Sequence, residues 1–228
     1  MAAKNKEMTS IILFLVRHAP TDSTGVILPG RLPGLSLSKN GHALAQQTAD
    51  ELAKTFNKSL SLNAIYSSPL LRARQTASYL SAKTSKKIMI SSYLNECDFG
   101  EMTGKKLADL AKEKDWQKLH TWPSAWRFPN GETFWEVRSR MLSFLDEVRS
   151  KKIPGAVVAF SHADPIKILL SEIIGTSLDN FQRIQINPAS VSILELPIDL
   201  GKPKVITINS MGDFQLVLEP IINSEKRF

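Results

Sequence analysis

The chain contains one cysteine, Cys97. That excludes an internal disulfide, and without a Cys-x-x-Cys pair or a Cys/His cluster nothing in the sequence signals zinc. A reducing, cytoplasmic setting is expected. Histidine is also sparse: His18, His42, His120 and His162 are scattered, so a multi-histidine metal site would need long-range convergence. Long apolar runs are missing. The amino-terminal stretch MAAKNKEMTS is polar, and the run that follows, Ile11 to Val16, is too short for a signal-peptide core or a membrane span. A soluble protein with no membrane partner is expected. Acidic residues are in the minority, 22 against 29 Lys and Arg, for a formal charge of +7 that favours anionic partners. The lysines are dispersed, however. The densest groups, KNK and SKK, are short, and KDWQK contains an acid. A phosphate-bearing small molecule suits this charge, and no nucleic-acid partner is expected.

A hydrophobic fraction of 43 % with 22 % charged residues is globular composition and argues against disorder. The length of 228 residues suffices for one substantial domain with its own core, read here as residues 1–228. Short β-rich runs alternate with longer amphipathic stretches. IILFLV, LNAIYSS, KKIMIS and AVVAFS read as strands. Helices are expected from near Ser38 to Phe56, from Pro69 through LLRARQTASYLSAKT, from about Gly131 to Arg149, and over DPIKILLSEII. SVSILEL and PKVITIN finish the chain as strands, a candidate closing pair. This series predicts an α/β fold: a three-layer sandwich with a mainly parallel central sheet flanked by helices. A strand near the carboxyl end, at the sheet edge, would be available to pair with a second copy in a homodimer. Residues from about 101 to 130 break the rhythm. They hold Trp116, Trp122 and Trp126, with Pro123 and Pro129. Two readings stand side by side: a short cap-like insertion over one end of the sheet, or a satellite cluster anchored by the tryptophans.

In open α/β sheets ligands bind beyond the carboxyl ends of the strands. The first strand ends in Arg17-His18. The second runs into SSPLLR, with Arg72 in a first helical turn. The third leads to YLNECDFG and Glu96, and the AVVAFS strand ends in Ser161-His162 followed by a helix start at Asp164-Pro165. Each residue has an ordinary explanation, as a bonded strand boundary, a surface arginine or a loop carboxylate. Their joint arrival at equivalent strand ends is harder to dismiss. A phosphoryl dianion needs fixed positive charge, and an opposite charge at contact distance is worth about 4 kcal/mol at an effective dielectric of about 20. Arginine meets phosphate oxygens two at a time. The start of the helix after His162 adds backbone N–H groups and a positive helix end. A neutral histidine in such a pocket can act as nucleophile, with its other ring nitrogen held by a backbone carbonyl and its pKa lowered by the positive charges. A shielded carboxyl can protonate the leaving oxygen.

These segments resemble the histidine phosphatase superfamily, the phosphoglycerate mutase-like family. LVRHAPT resembles its L-V-R-H-G-x-T signature, and SSPLLRARQTA its S-x-L-x-R-A-x-Q-T-A segment. LNECDFG is similar to its acid/base loop, FPNGETFWEVRSR to its P-G-G-E-S helix start, and VVAFSHADPIKILL to its second histidine motif. GRLPGLSLSKNG resembles the loop before its first long helix. The matches keep family order from about Leu13 to Leu196. The resemblance implies a phosphoglycerate mutase-like fold and a role for each matching residue. His18 would become phosphohistidine, and Arg17 and Arg72 would clamp phosphate. His162 would donate a hydrogen bond to the same oxygens. Glu96 would be general acid and then base, and the Ala163 N–H would complete the pocket. Thr21 would buttress the turn after the strand. Glu132 would orient the pocket or simply start a helix. Arg31, Glu132, Trp122 and Trp126 are further substrate-pocket candidates. No metal or organic cofactor is implied.

Four departures stand out. Ala19 replaces the usual glycine, and Thr24 stands where many relatives place a phosphate-touching asparagine. Met102-Thr103-Gly104 replaces W-E-G. Ala163-Asp164 follows the second histidine, where Gly-Gly or Gly-x is common. No catalytic group is lost. The short, tryptophan-rich stretch after Glu96, where cofactor-dependent mutases of the family carry a longer basic insertion, favours hydrolysis of a phosphate monoester. Mutase-type phosphoryl transfer and non-catalytic binding of a phosphorylated ligand are the alternatives.

Overall fold

A computed structural model describes residues 9–199 and 201–224; the polar amino-terminal stretch read above falls mainly on residues 1–8, outside that range. In chain order the elements are β1 (Ser10–Arg17), α1 (Lys39–Thr55), β2 (Leu62–Ser67), α2 (Leu71–Thr84), β3 (Ile88–Ile90), α3 (Leu107–Leu110), α4 (Lys114–Thr121), α5 (Phe134–Ser150), β4 (Gly155–Ser161), α6 (Ala163–Ile174), β5 (Val191–Pro197), β6 (Lys204–Ser210) and α7 (Phe214–Ser224). The six strands form one sheet in the order β3-β2-β4-β1-β5-β6. β3, β2, β4 and β1 run parallel, and β5 and β6 are added antiparallel, the closing pair expected from the sequence.

β1 is apolar from Ile11 to Val16 because it lies inside the sheet with both faces covered. Successive side chains point to opposite faces. Ile11, Leu13 and Leu15 join one core with Met141, Phe144, Leu169 and Phe181. Ile12, Phe14 and Val16 join a second with Leu52, Leu80 and Phe214. α5 and α6 therefore cover one face and α1, α2 and α7 the other, giving the three layers.

Helix starts follow their caps. Ser38 Oγ accepts the Gly41 amide at 3.0 Å and opens α1. α5 starts at Phe134 rather than near Gly131, because Thr133 and Glu136 form a reciprocal capping box and Gly131 lies in the turn before it. α2 starts at Leu71, two residues past Pro69, because the Ser68 amide is bonded to the Phe160 carbonyl at the end of β4. The third strand shrinks to Ile88–Ile90, with Met89 and Ile90 exposed at the sheet edge. α7 had no counterpart among the sequence expectations. No helix among the described residues is long and apolar enough to cross a membrane.

The irregular stretch 101–130 holds α3, α4 and a 3-10 turn at Pro123–Ala125. Its tryptophans part company. Trp116 and Trp126 pack against the α5/α6-side core, whereas Trp122 is 68 % exposed.

Candidate active site

The functional side chains collect at the carboxyl ends of β1, β2 and β4. His18 is fixed by the sheet: its amide donates to the Ser161 carbonyl at 2.9 Å, and the Arg17 amide to the Ser190 carbonyl at 3.1 Å. The next amide, Ala19, donates to Thr76 Oγ1 at 3.0 Å, and Thr76 Oγ1 donates to the Arg72 carbonyl. The β1 end is thus tied to β4 and to α2 together. Both strand-end histidines are buried, with ring centroids 5.1 Å apart.

His18 Nδ1 lies 2.8 Å from the Ala19 carbonyl oxygen. An oxygen there can only accept, so Nδ1 carries the proton and Nε2 keeps its lone pair. Arg72 Nε donates to that Nε2 at 3.2 Å. Burial, then Arg72 and Arg17, push the His18 pKa well below its ordinary value despite the opposing Ala19 bond. The ring is a neutral base with its free nitrogen turned toward cations.

Arg72 is only 1 % exposed, unusual for a charged side chain without a carboxylate partner. Its Nη2 donates to the Gly30 carbonyl at 2.7 Å, and Nη1 is buried without a partner. Arg17 donates through Nη1 to the Ile186 carbonyl at 2.6 Å, and its Nε is also unpartnered. His162 Nε2 lies 2.8 Å from Ser68 Oγ, while Nδ1 has no hydrogen-bond partner and sits 4.0 Å from Glu96 Oε2. Burial and then Arg72 lower the His162 pKa as well. His162 is also the N-cap of α6 and makes no side-chain capping bond, so first-turn amides beginning with Ala163 have no intrahelical partner. Buried donors left unpaired are costly, and an anion would satisfy them.

Glu96 is buried on the irregular stretch after β3. Its Oε1 accepts the Cys97 amide at 3.0 Å. Burial, then the Asp164 carboxylate, raise its pKa to about 7 against the pull of Arg72 and Arg17. The site therefore holds a carboxyl able to carry a proton near neutrality.

The structure brings Arg17, His18, Arg72, Glu96 and His162 together. Five other candidates are placed differently from the pocket roles expected of them. Thr24 Oγ1 accepts the Thr21 amide at 2.9 Å and touches Thr21 Oγ1, closing a turn rather than joining the basic groups. Arg31 donates to the Glu96 carbonyl, to Asp98 Oδ2 and to Glu132 Oε1, so its nitrogens serve the loop. Glu132 accepts in turn from Arg31, Arg140 and the Asp98 amide. Burial would raise its pKa, but these partners, Arg140 foremost, hold it below the usual range. Trp122 is exposed at the end of α4, and Trp126 packs edge-on to Phe128. Sequence reasoning missed Ser68, Thr76 and Arg140. All lie within motif segments already quoted, but nothing in the linear pattern tells which hydroxyl or arginine braces the site.

Residues 13–210 match the model of the histidine phosphatase superfamily, branch 1. Phosphoserine phosphatase 1 of Hydrogenobacter thermophilus is 30 % identical over 190 residues, covering 81 % of this chain and 86 % of that one. An Escherichia coli protein named as a probable phosphoglycerate mutase is 25 % identical over 220 residues, covering 94 % and 99 %. Among solved structures, a mycobacterial glucosyl-3-phosphoglycerate phosphatase superposes with a TM-score of 0.76 at 22 % identity, covering 88 % and 99 %. The match over most of the chain establishes that this protein belongs to the histidine phosphatase superfamily.

Proposed function

We propose that this protein hydrolyses phosphate monoesters of small molecules through a phosphohistidine on His18, without a metal ion. The carrying observation is the state of His18: Nδ1 is held by the Ala19 carbonyl, and Nε2 carries no proton and accepts from Arg72 Nε, in a site that also holds buried, unpartnered donors on Arg17 and Arg72. Membership of the superfamily and a phosphoserine phosphatase relative support the same reading.

In the first step His18 Nε2 attacks phosphorus and the ester P–O bond breaks. Arg17, Arg72, the His162 Nδ1–H and the Ala163 amide hold the phosphoryl oxygens. Ser68 Oγ donates to Asn95 Oδ1 and so accepts from His162 Nε2, and the bound phosphoryl dianion draws a second proton onto Nδ1. The Glu96 carboxyl gives its proton to the leaving oxygen. In the second step the Glu96 carboxylate takes a proton from water as the water oxygen attacks phosphorus. The P–N bond breaks, phosphate leaves, and His18 returns neutral. The arginines supply the positive charge that a metal would otherwise provide.

His18→Ala is expected to abolish turnover of p-nitrophenyl phosphate and acid-labile labelling of the protein, and the wild-type rate should survive a chelator. A His18→Ala enzyme with normal kcat would overturn the nucleophile assignment. Interconversion of phosphoglycerates without phosphate release would replace hydrolysis by mutase chemistry.

A further inference from the structure

We infer that Arg140 and Glu132 are positioning residues for Glu96, clamping the loop that carries it from the side of α5; this rests on Glu96 acting as the acid. Apart from one 3-10 turn at Ser92–Leu94, residues 91–99 contain no regular element, so no sheet ladder or helix fixes Glu96. Side chains do so instead. Arg140, on α5, is largely buried and donates through Nη1 to the carbonyls of Tyr93 and Asn95, both at 2.7 Å. Its Nε and Nη2 grip the two oxygens of Glu132 at 3.2 Å each. Glu132 Oε2 accepts the Asp98 amide at 3.1 Å, beyond Glu96, and Oε1 accepts Arg31 Nη2 at 2.7 Å. Arg31 Nε reaches the Glu96 carbonyl at 3.0 Å. The segment is held before, at and after Glu96 by one ionic unit.

The arrangement needs arginine. One face of the guanidinium fork grips a carboxylate while the remaining edge meets two carbonyls, a division that a lysine ammonium cannot reproduce. The clamp also braces the second histidine. Asn95, whose carbonyl it holds, accepts from Ser68 Oγ through its side chain, and Ser68 contacts His162. Small displacements of a proton donor are costly to catalysis, so loosening this unit should be read in the acid step before it is read in binding.

The test compares an alkyl phosphate, whose leaving oxygen needs a proton, with p-nitrophenyl phosphate, whose leaving group does not. Arg140→Lys should lower kcat on the alkyl ester roughly 10- to 100-fold with KM little changed, and lower p-nitrophenyl phosphate turnover far less. Combined with Glu96→Gln, it should add almost nothing on the alkyl ester. Glu132→Gln, nearly isosteric, should show the same split and serves if Arg140→Lys does not fold. Equal losses on both esters, or full additivity with Glu96→Gln, would overturn the positioning role while leaving the acid assignment intact. A Glu96→Gln enzyme that itself shows no split between the esters would sink the acid assignment and this proposal with it.

Discussion

In the proposed mechanism Glu96 delivers a proton at a pH where an ordinary carboxyl has lost it. Burial does most of this, and Asp164 adds to it, raising the pKa to about 7. Rising pH through that value removes the acid, so kcat on an alkyl phosphate should fall about tenfold per pH unit above about pH 7. His18 titrates well below its ordinary range, so it stays neutral and leaves the rate near its plateau through mildly acidic pH. A pH–rate series on Glu96→Gln should lose the basic limb. The same shift has a thermodynamic side. The folded protein binds the Glu96 proton more tightly than the unfolded chain, where the pKa is near 4.5. This contribution to stability is fully present below about pH 4.5 and is lost as pH rises through about 7. Between about pH 5 and about pH 8 the wild type should lose stability relative to Glu96→Gln, on the order of 3 kcal/mol. Urea midpoints at the two pH values would measure it.

At the scale of elements, the loop after His18 rests on the first turn of α1. The Ser38 amide and hydroxyl both donate to the Pro20 carbonyl, at 3.0 and 3.3 Å. Gly41 lies so close that a Cβ there would sit 2.0 Å from the same oxygen. That atom is backbone and cannot swing away. Gly41→Ala should therefore cost about 1–3 kcal/mol and lower kcat on alkyl and aryl esters alike, because it pushes on the segment that seats His18. Thermal melts and kcat on both esters would check this; unchanged values in both would show that the loop gives way freely. The α1 start was legible from Ser38 alone, since a serine before a periodic apolar stretch is a local signal. The function of Gly41 was not, because Pro20 is brought to it by the fold.

Across the whole molecule, a core on each face of the sheet divides the labour. One carries α5 and α6, which brace Glu96 and present His162. The other carries α1, α2 and α7. Phe214 of α7 is 1 % exposed in that second core. α7 meets the far end of α1, where Gln215 Nε2 donates to the Lys54 carbonyl. At 1.5 Å per residue that is roughly 20 Å along the helix from Gly41. Phe214→Ala should cost about 3–5 kcal/mol yet leave kcat of the folded enzyme unchanged at low temperature. Denaturant titration beside steady-state kinetics would show it, and a large fall in kcat without a fall in stability would contradict it.

What was readable from residues alone is what local pattern governs. Six apolar residues before Arg17-His18 require a strand buried on both faces. The chain order of strands and helices requires crossovers, and crossovers favour a parallel sheet with its strand ends on one rim. That reasoning reached Arg17, His18, Arg72 and His162 because each sits at an element boundary, and Glu96 because it lies in the stretch that leaves β3. Other features depend on contacts between segments far apart in the chain, which no periodicity encodes. Folding turned Arg31 and Glu132 from pocket candidates into parts of a clamp with Arg140. It committed the Thr24 hydroxyl to a turn and left Trp122 in solvent. It also set the proton on His18 Nδ1, through a carbonyl one residue away whose direction depends on the bonds of β1 to β4 and α2.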